Sequence, residues 1–232
     1  MIEYFDFSPA YVSLKISIMA TCLTFLCGVS LGYATKGKKN LVMELLDSLL
    51  MIPLVLPPTV IGLVLLLGLG IQSPLGAFLD QIGVVLVFSW QGAVIAASIV
   101  SLPIMYQTAR SAFEQVDPEL IASARTLGAG RLRIFQKIIF PLAAPGILAG
   151  TILSFARALG EFGATLMIAG NIPGRTQTLP MAVYFSNEGG NTAAALCYTG
   201  IILLISTTSL VAIKYVNNRS NYRFAQKESI NA

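Results

Sequence analysis

Apolar residues gather along the chain into long windows nearly free of charge, and the charged residues collect between them. The first window is 17–35, between Lys15 and Lys36. The second lies between Asp47 and Asp80 and is most apolar over 49–69. The third is 84–106, the fourth 142–169 and the fifth 194–215. Each is near or above the roughly 20 residues a helix needs to cross the hydrocarbon of a bilayer. The pattern predicts an all-α polytopic membrane helix bundle of about five spanning helices. Residues 1–216 form the transmembrane domain, with a cytoplasmic loop at 114–141, and 217–232 a cytoplasmic tail.

Charge placement orients the bundle. Lys36, Lys38 and Lys39 follow the first window. Arg110, Arg125, Arg131, Arg133 and Lys137 fall between the third and fourth. Arg219, Arg223 and Lys227 follow the fifth. The alternate connections carry no Lys or Arg at 70–83 and only Arg175 at 171–193. Basic residues favour the cytoplasmic side, and five crossings put all three basic segments there. The N-terminus is then outside and the C-terminus inside. The opening nine residues hold Glu3 and Asp6 and no Lys or Arg, unlike the basic start of a signal peptide.

Composition agrees: 55% of residues are hydrophobic and 11% charged, against about 25% charged in an average soluble domain. The net charge of +4 belongs to the window ends, so it reads as a topology signal and not as a nucleic-acid footprint. No histidine occurs, and Cys22, Cys27 and Cys197 lie apart within apolar stretches. They read as small fillers facing lipid or a neighbouring helix, and no metal site is expected. No catalytic constellation is visible, which argues against a membrane-embedded enzyme.

Prolines interrupt several windows. Pro53, Pro57 and Pro58 fall in the second, Pro103 in the third and Pro145 in the fourth. A simple kink is one reading. A broken helix beside a translocation path is the other, and the group ending in Pro57 and Pro58 favours it. No internal repeat is found, so an inverted-repeat secondary transporter driven by an ion gradient gains no support.

The loop between the third and fourth windows is amphipathic. Asp117 can cap a helix that begins at Pro118, with Glu119 suited to the positive end of its dipole. That helix runs to about Leu127, and Gly128 and Gly130 permit a turn through positive φ before a second helix near Arg131. Leu120, Ala124 and Leu127 are expected on one face. Periodicity leaves open whether that face lies on lipid or docks in a groove of another protein.

Spacing adds to this. The loop resembles the cytoplasmic loop of ABC importer permeases, whose pattern is Glu-Ala-Ala, three residues, Gly, nine residues, Ile, one residue, Leu-Pro. The slots here are Ala122-Ser123-Ala124, Gly128, Ile138, Phe140 and Pro141. The spacing matches throughout, while Ala122 replaces the glutamate and Phe140 the leucine. Further on, RALGEFG at 157–163 and AGNIPGRTQTLP at 169–180 resemble the molybdate/sulfate branch of that family, and the second run resembles its molybdate permeases most. The resemblance covers most of 50–215.

It implies a permease that moves molybdate across the inner membrane, with tungstate or sulfate/thiosulfate as alternatives. It further implies a second permease copy, two ATPase subunits that bind ATP-Mg, an external oxyanion-binding protein and a surrounding lipid bilayer. This chain has no Walker motif GxxxxGK[ST], so it is expected to bind no cofactor and to be no enzyme itself. The ATPase-coupling residues implied are Asp117, Glu119, Leu120, Ala122, Ser123, Ala124, Leu127, Gly128 and Arg131.

Inside the fourth window, Arg157 and Glu161 are four apart and share a helix face. A lone charge at this depth costs about 2.5 kcal/mol or more. The two are either a structural ion pair or part of the translocation path. Glu161 would repel the anion that Arg157 attracts, which favours the pair.

Overall fold

The computed structural model describes residues 6–38 and 40–230, with side chains through Lys214. Glu3, Lys39 and the side chains of Arg219, Arg223 and Lys227 lie outside the described set. The helices are α1 (Ser8–Thr35), α2 (Leu41–Val55), α3 (Pro58–Leu69), α4 (Pro74–Gln81), α5 (Trp90–Glu114) and α6 (Pro118–Thr126). After them come α7 (Arg131–Ile134), a π-helical turn (Phe135–Ile139), α8 (Phe140–Leu159), α9 (Gly163–Ala169), α10 (Leu179–Glu188) and α11 (Thr192–Ile230). No strand occurs among the described residues.

Four helices are long and apolar enough to cross a membrane: Ser8–Thr35, Trp90–Glu114, the continuous run Arg131–Leu159, and Thr192–Lys214. The count reaches five when the pair α2 and α3, which meet at a bend of 109°, is taken as one broken span. The all-α bundle and its count of spans agree with the hydrophobic pattern, but the boundaries move for definite reasons. The first span starts at Ser8 and not at 17, because Lys15 does not end it. Its ammonium lies 3.7 Å from the centroid of the Trp90 ring, a cation–π contact that shelters the charge. Asp6 opens the helix by accepting from the Ser8 amide at 2.8 Å and its hydroxyl at 2.7 Å. The third span starts at Trp90, after an irregular segment that ends at Ser89, whose hydroxyl accepts from the Gly92 amide. It continues past Tyr106 to Glu114 because Arg110 and Glu114 have partners.

The core is α5, packed against α1 and α8. Small residues let these backbones approach. A Cβ added at Gly28 would stand 3.1 Å from the Tyr106 amide nitrogen, and one at Gly32 2.8 Å from that of Arg110. The two glycines form a GxxxG pair, a recurrent contact between membrane helices. Gly146 and Gly150 of α8 repeat the arrangement against Ala112 and Thr108. Several hydroxyls inside the spans bond back to their own helix, as Ser17 does to the Ser13 carbonyl and Thr21 to that of Ser17, which satisfies them without water. Cys22, Cys27 and Cys197 are exposed on the outside of the bundle.

Pro53, Pro103 and Pro145 lie within continuous helices; Pro57 and Pro58 stand at a true break. Pro141 has a different effect. It has no N–H for the Lys137 carbonyl, and its ring crowds that oxygen. The helix accommodates this by widening over 135–139, where the Phe140 amide bonds to the Phe135 carbonyl. The fourth span is therefore continuous from Arg131, ahead of the expected 142, and it ends at Leu159. A break at 160–162 separates it from α9, where the sequence suggests one helix to 169.

Candidate functional site: an exposed loop helix and a junction of two broken spans

The loop helix α6 forms as its sequence dictates. The Asp117 side chain accepts from the Glu119 amide at 2.8 Å, and Pro118 occupies the first turn. Its end is a Schellman turn: the Ala129 amide reaches the Ala124 carbonyl and the Gly128 amide that of Arg125, both at 3.0 Å. Gly128 has φ +80°, as expected, while Gly130 has φ −67° and simply caps α7. One expectation fails. Leu120, Ala124 and Leu127 do not share a face, because Ala124 is buried with Ile121 against Ile134 and Ile139. Leu120 and Leu127 point away from the bundle, Leu127 at 87% exposure. Ala122, Ser123 and Arg131 are also exposed. The helix is thus anchored by one face and leaves the other exposed.

The second assembly lies in the membrane. α3 packs on α9, and the two breaks meet there. A Cβ on Gly163 would lie 3.4 Å from Pro58 and 3.1 Å from Thr59, and one on Gly62 2.8 Å from the Ala164 backbone. Pro57 caps α3 and Pro58 is its first residue. Glu161 stands in the gap between α8 and α9. One oxygen accepts from the Ala164 amide at 2.9 Å, capping α9, and the other is 2.8 Å from an Arg157 nitrogen. Glu161 is 2% exposed and Arg157 31%. Arg157, Glu161, Pro57 and Pro58 thus belong to one junction. Buried polar atoms without a partner also fall in this stretch: the hydroxyls of Ser154, Thr165 and Thr178 and Oδ1 of Asn171. Gly62→Val is expected to lower the stability of the bundle by about 1–3 kcal/mol through overpacking. Thermal unfolding of the purified protein checks this, and an unchanged midpoint would show that α3 and α9 yield freely.

A polar network where α1, α2 and α5 meet is not foreseen by the sequence pattern. Arg110 pairs with Asp47 of α2 and, at 3.0 Å, with Glu114. Tyr106 donates to Asp47 and reaches the Thr35 hydroxyl at 3.0 Å, while the Gly37 amide donates to Glu114 at 3.2 Å. It ties α1, α2 and α5 together, and α2 has no buried residue of its own. Asp47 and Arg110 stand at window ends, where each reads as a boundary and not as half of a pair.

On the opposite side the 169–180 loop winds around the Ile172 carbonyl, which accepts from the Arg175, Thr176 and Gln177 amides. The buried Thr176 hydroxyl donates to the Gly170 carbonyl and accepts from the Ile172 amide, both at 3.0 Å. With 83–91, the loop walls a cavity of 370 Å³ that includes Arg175. No cluster of metal-ligating side chains occurs among the described residues.

These features coincide with a family match: residues 25–222 fit the model described as "Binding-protein-dependent transport system inner membrane component". The chain belongs to this family. Among its relatives, the "Molybdenum transport system permease protein ModB" of Escherichia coli (strain K12) is 44% identical over 202 residues, 85% of this chain and 88% of that one. The "Putative molybdenum transport system permease protein YvgM" of Bacillus subtilis (strain 168) is 41% identical over 209 residues, 90% and 92% of the two chains. The "Sulfate transport system permease protein CysT" of Salmonella typhimurium (strain LT2) is 35% identical over 179 residues, 77% and 65%. The fold also matches that of a bacterial ABC transporter involved in import of the acidic polysaccharide alginate. The TM-score there is 0.72 at 14% identity, over 95% of this chain and 80% of that one. For the MetNI methionine ABC transporter it is 0.67 at 15% identity, over 93% and 99%. This family member is therefore a multi-pass inner-membrane transport component, as the apolar pattern and loop spacing imply.

Proposed function

We propose that this permease moves molybdate through a complex with two ATPase subunits, a second copy of itself and an external binding protein. The observation that carries the substrate is 44% identity across 88% of a molybdenum permease. The sulfate relative matches over less of its own length, 65%, so sulfate or thiosulfate is the weaker reading. ATP-Mg belongs to the ATPase subunits.

The free face of α6, with Glu119, Leu120, Ala122, Ser123 and Leu127, docks on the ATPase. Asp117 and Gly128 fix its two ends, Ala124 anchors it, and Arg131 starts the rigid run back into the membrane. ATPase closure then presses on a helix continuous with the fourth span. Motion arrives at 160–162, where that span breaks beside Pro57 and Pro58, and the junction opens or shuts the path. The ion pair of Arg157 and Glu161 holds the break in register.

ATP-dependent uptake of molybdate by proteoliposomes holding permease, ATPase and binding protein tests the reading. Uptake of sulfate but not molybdate sinks the substrate, and uptake driven by an ion gradient without ATP sinks the class. For orientation, with the N-terminus outside, a cysteine replacing Lys38 is expected to react with membrane-impermeant reagent only after lysis. Labelling in intact cells would reverse the topology.

A further inference from the structure

A half-open cavity of 250 Å³ lies where the start of the fourth span meets α1 and α6. It is lined by Tyr33, Ile121, Arg125, Arg131, Ile134 and Ile139. Its floor is apolar, since Ile134 and Ile139 are buried at 3% and 4% exposure. Neither Arg125 nor Arg131 has a carboxylate partner among the described residues. The Lys36 ammonium packs on one of the lining residues, 4.6 Å from the centroid of the Tyr33 ring. Unpaired cations converging on a cavity mark an anion site. Its size decides the kind of anion, because drug-sized ligands take about 300 Å³ or more, while a phosphate ester fits in less.

The level of the cavity decides the source. The first span ends at Thr35 and the run into the fourth begins at Arg131, so the cavity lies at the cytoplasmic membrane surface, where basic pockets between helices take acidic headgroups. Tyr33 at 38% and Leu132 at 69% exposure supply apolar surface beside it for an acyl chain. Both arginines lie off the outward face of α6 that carries Leu120 and Leu127.

We propose that this cavity binds the phosphate headgroup of an acidic phospholipid, bridging the docking loop to the first span. Burial holds the Lys36 ammonium below the usual lysine range, and a bound phosphate would raise it again. The site is independent of the transported substrate.

The test uses the purified complex with its ATPase subunits, in detergent with equimolar phosphatidylglycerol and phosphatidylcholine. Native mass spectrometry is expected to show phosphatidylglycerol retained roughly thirtyfold more, about fivefold for each of the two arginines. Equal retention by the wild-type complex overturns the proposal, whatever the variants do. Arg125→Gln with Arg131→Gln should abolish the preference, Arg125→Gln alone should lower it about fivefold while the ATPase stays bound, and Arg125→Lys with Arg131→Lys should keep most of it. A preference that survives the glutamine pair places the lipid elsewhere and overturns the site. So does loss of the ATPase with the lipid preference intact, which would give the arginines to a protein contact. If inorganic phosphate alone raises the unfolding temperature through these arginines and phosphatidylglycerol does not, the anion is free and the lipid reading fails.

Discussion

Arg157→Ala is expected to prevent accumulation of an intact bundle, and Arg157→Ala combined with Glu161→Gln to restore it. The single change leaves a carboxylate at 2% exposure without its cation. Breaking a buried pair this way costs about 3–5 kcal/mol, and the lower end applies because Arg157 is 31% exposed and partly screened. The glutamine removes the stranded charge and keeps an oxygen for the Ala164 amide. Glu161→Ala is different, since it loses the pair and also the cap of α9, a further cost of about 1 kcal/mol. A double-mutant cycle on assembled complex and on uptake decides the roles. An assembled Arg157→Ala, Glu161→Gln complex that transports nothing would assign Arg157 to the anion itself. Two fully active single variants would remove both roles.

Gly128→Val is expected to cut ATP-driven uptake at least tenfold while the spans insert normally and the ATPase still turns over. A Cβ at Gly128 meets nothing within 4 Å, so the penalty is conformational. The backbone at φ +80° costs an ordinary L-residue about 1–2 kcal/mol, and a β-branched one more. Relieving it unwinds the Schellman turn and re-aims α6 relative to the fourth span. Gly128→Asn, which tolerates this region better, should retain much of the uptake. Normal uptake by the valine variant would show that α6 transmits nothing through a fixed turn.

The spans, their number and the form of α6 were legible because burial in lipid imposes long apolar runs, and because caps and turn glycines leave local marks. The break at α2 and α3 was visible as adjacent prolines. The break at 160–162 was less so, since Gly160 and Gly163 suit close helix packing as well as a bend. Pairing across the fold was hidden for the same reason each time: Lys15, Asp47 and Arg110 find partners far away in sequence, on Trp90 and on each other. The face of α6 was only partly legible: Ala124 does turn to the core, joined there by the partly buried Ile121, while Leu120 stays exposed.

Counting the inward positions of the fourth span exposes a consequence of its widened turn. Ile139, Ala143, Ile147, Gly150, Ser154 and Ala158 are buried at steps of three or four, but five residues separate Ile139 from the preceding buried Ile134. An α-helix turns about 100° per residue, so an ordinary helix here would rotate α7 away from the face that Ile134 fills. The wide turn absorbs the surplus residue and keeps both sides in phase. Slack therefore exists in one direction only. Deleting Lys137 brings Ile134 within four positions of Ile139 and keeps it inward, against a turn that the proline still disfavours, whereas inserting a residue at the same place swings the docking helix around the bundle.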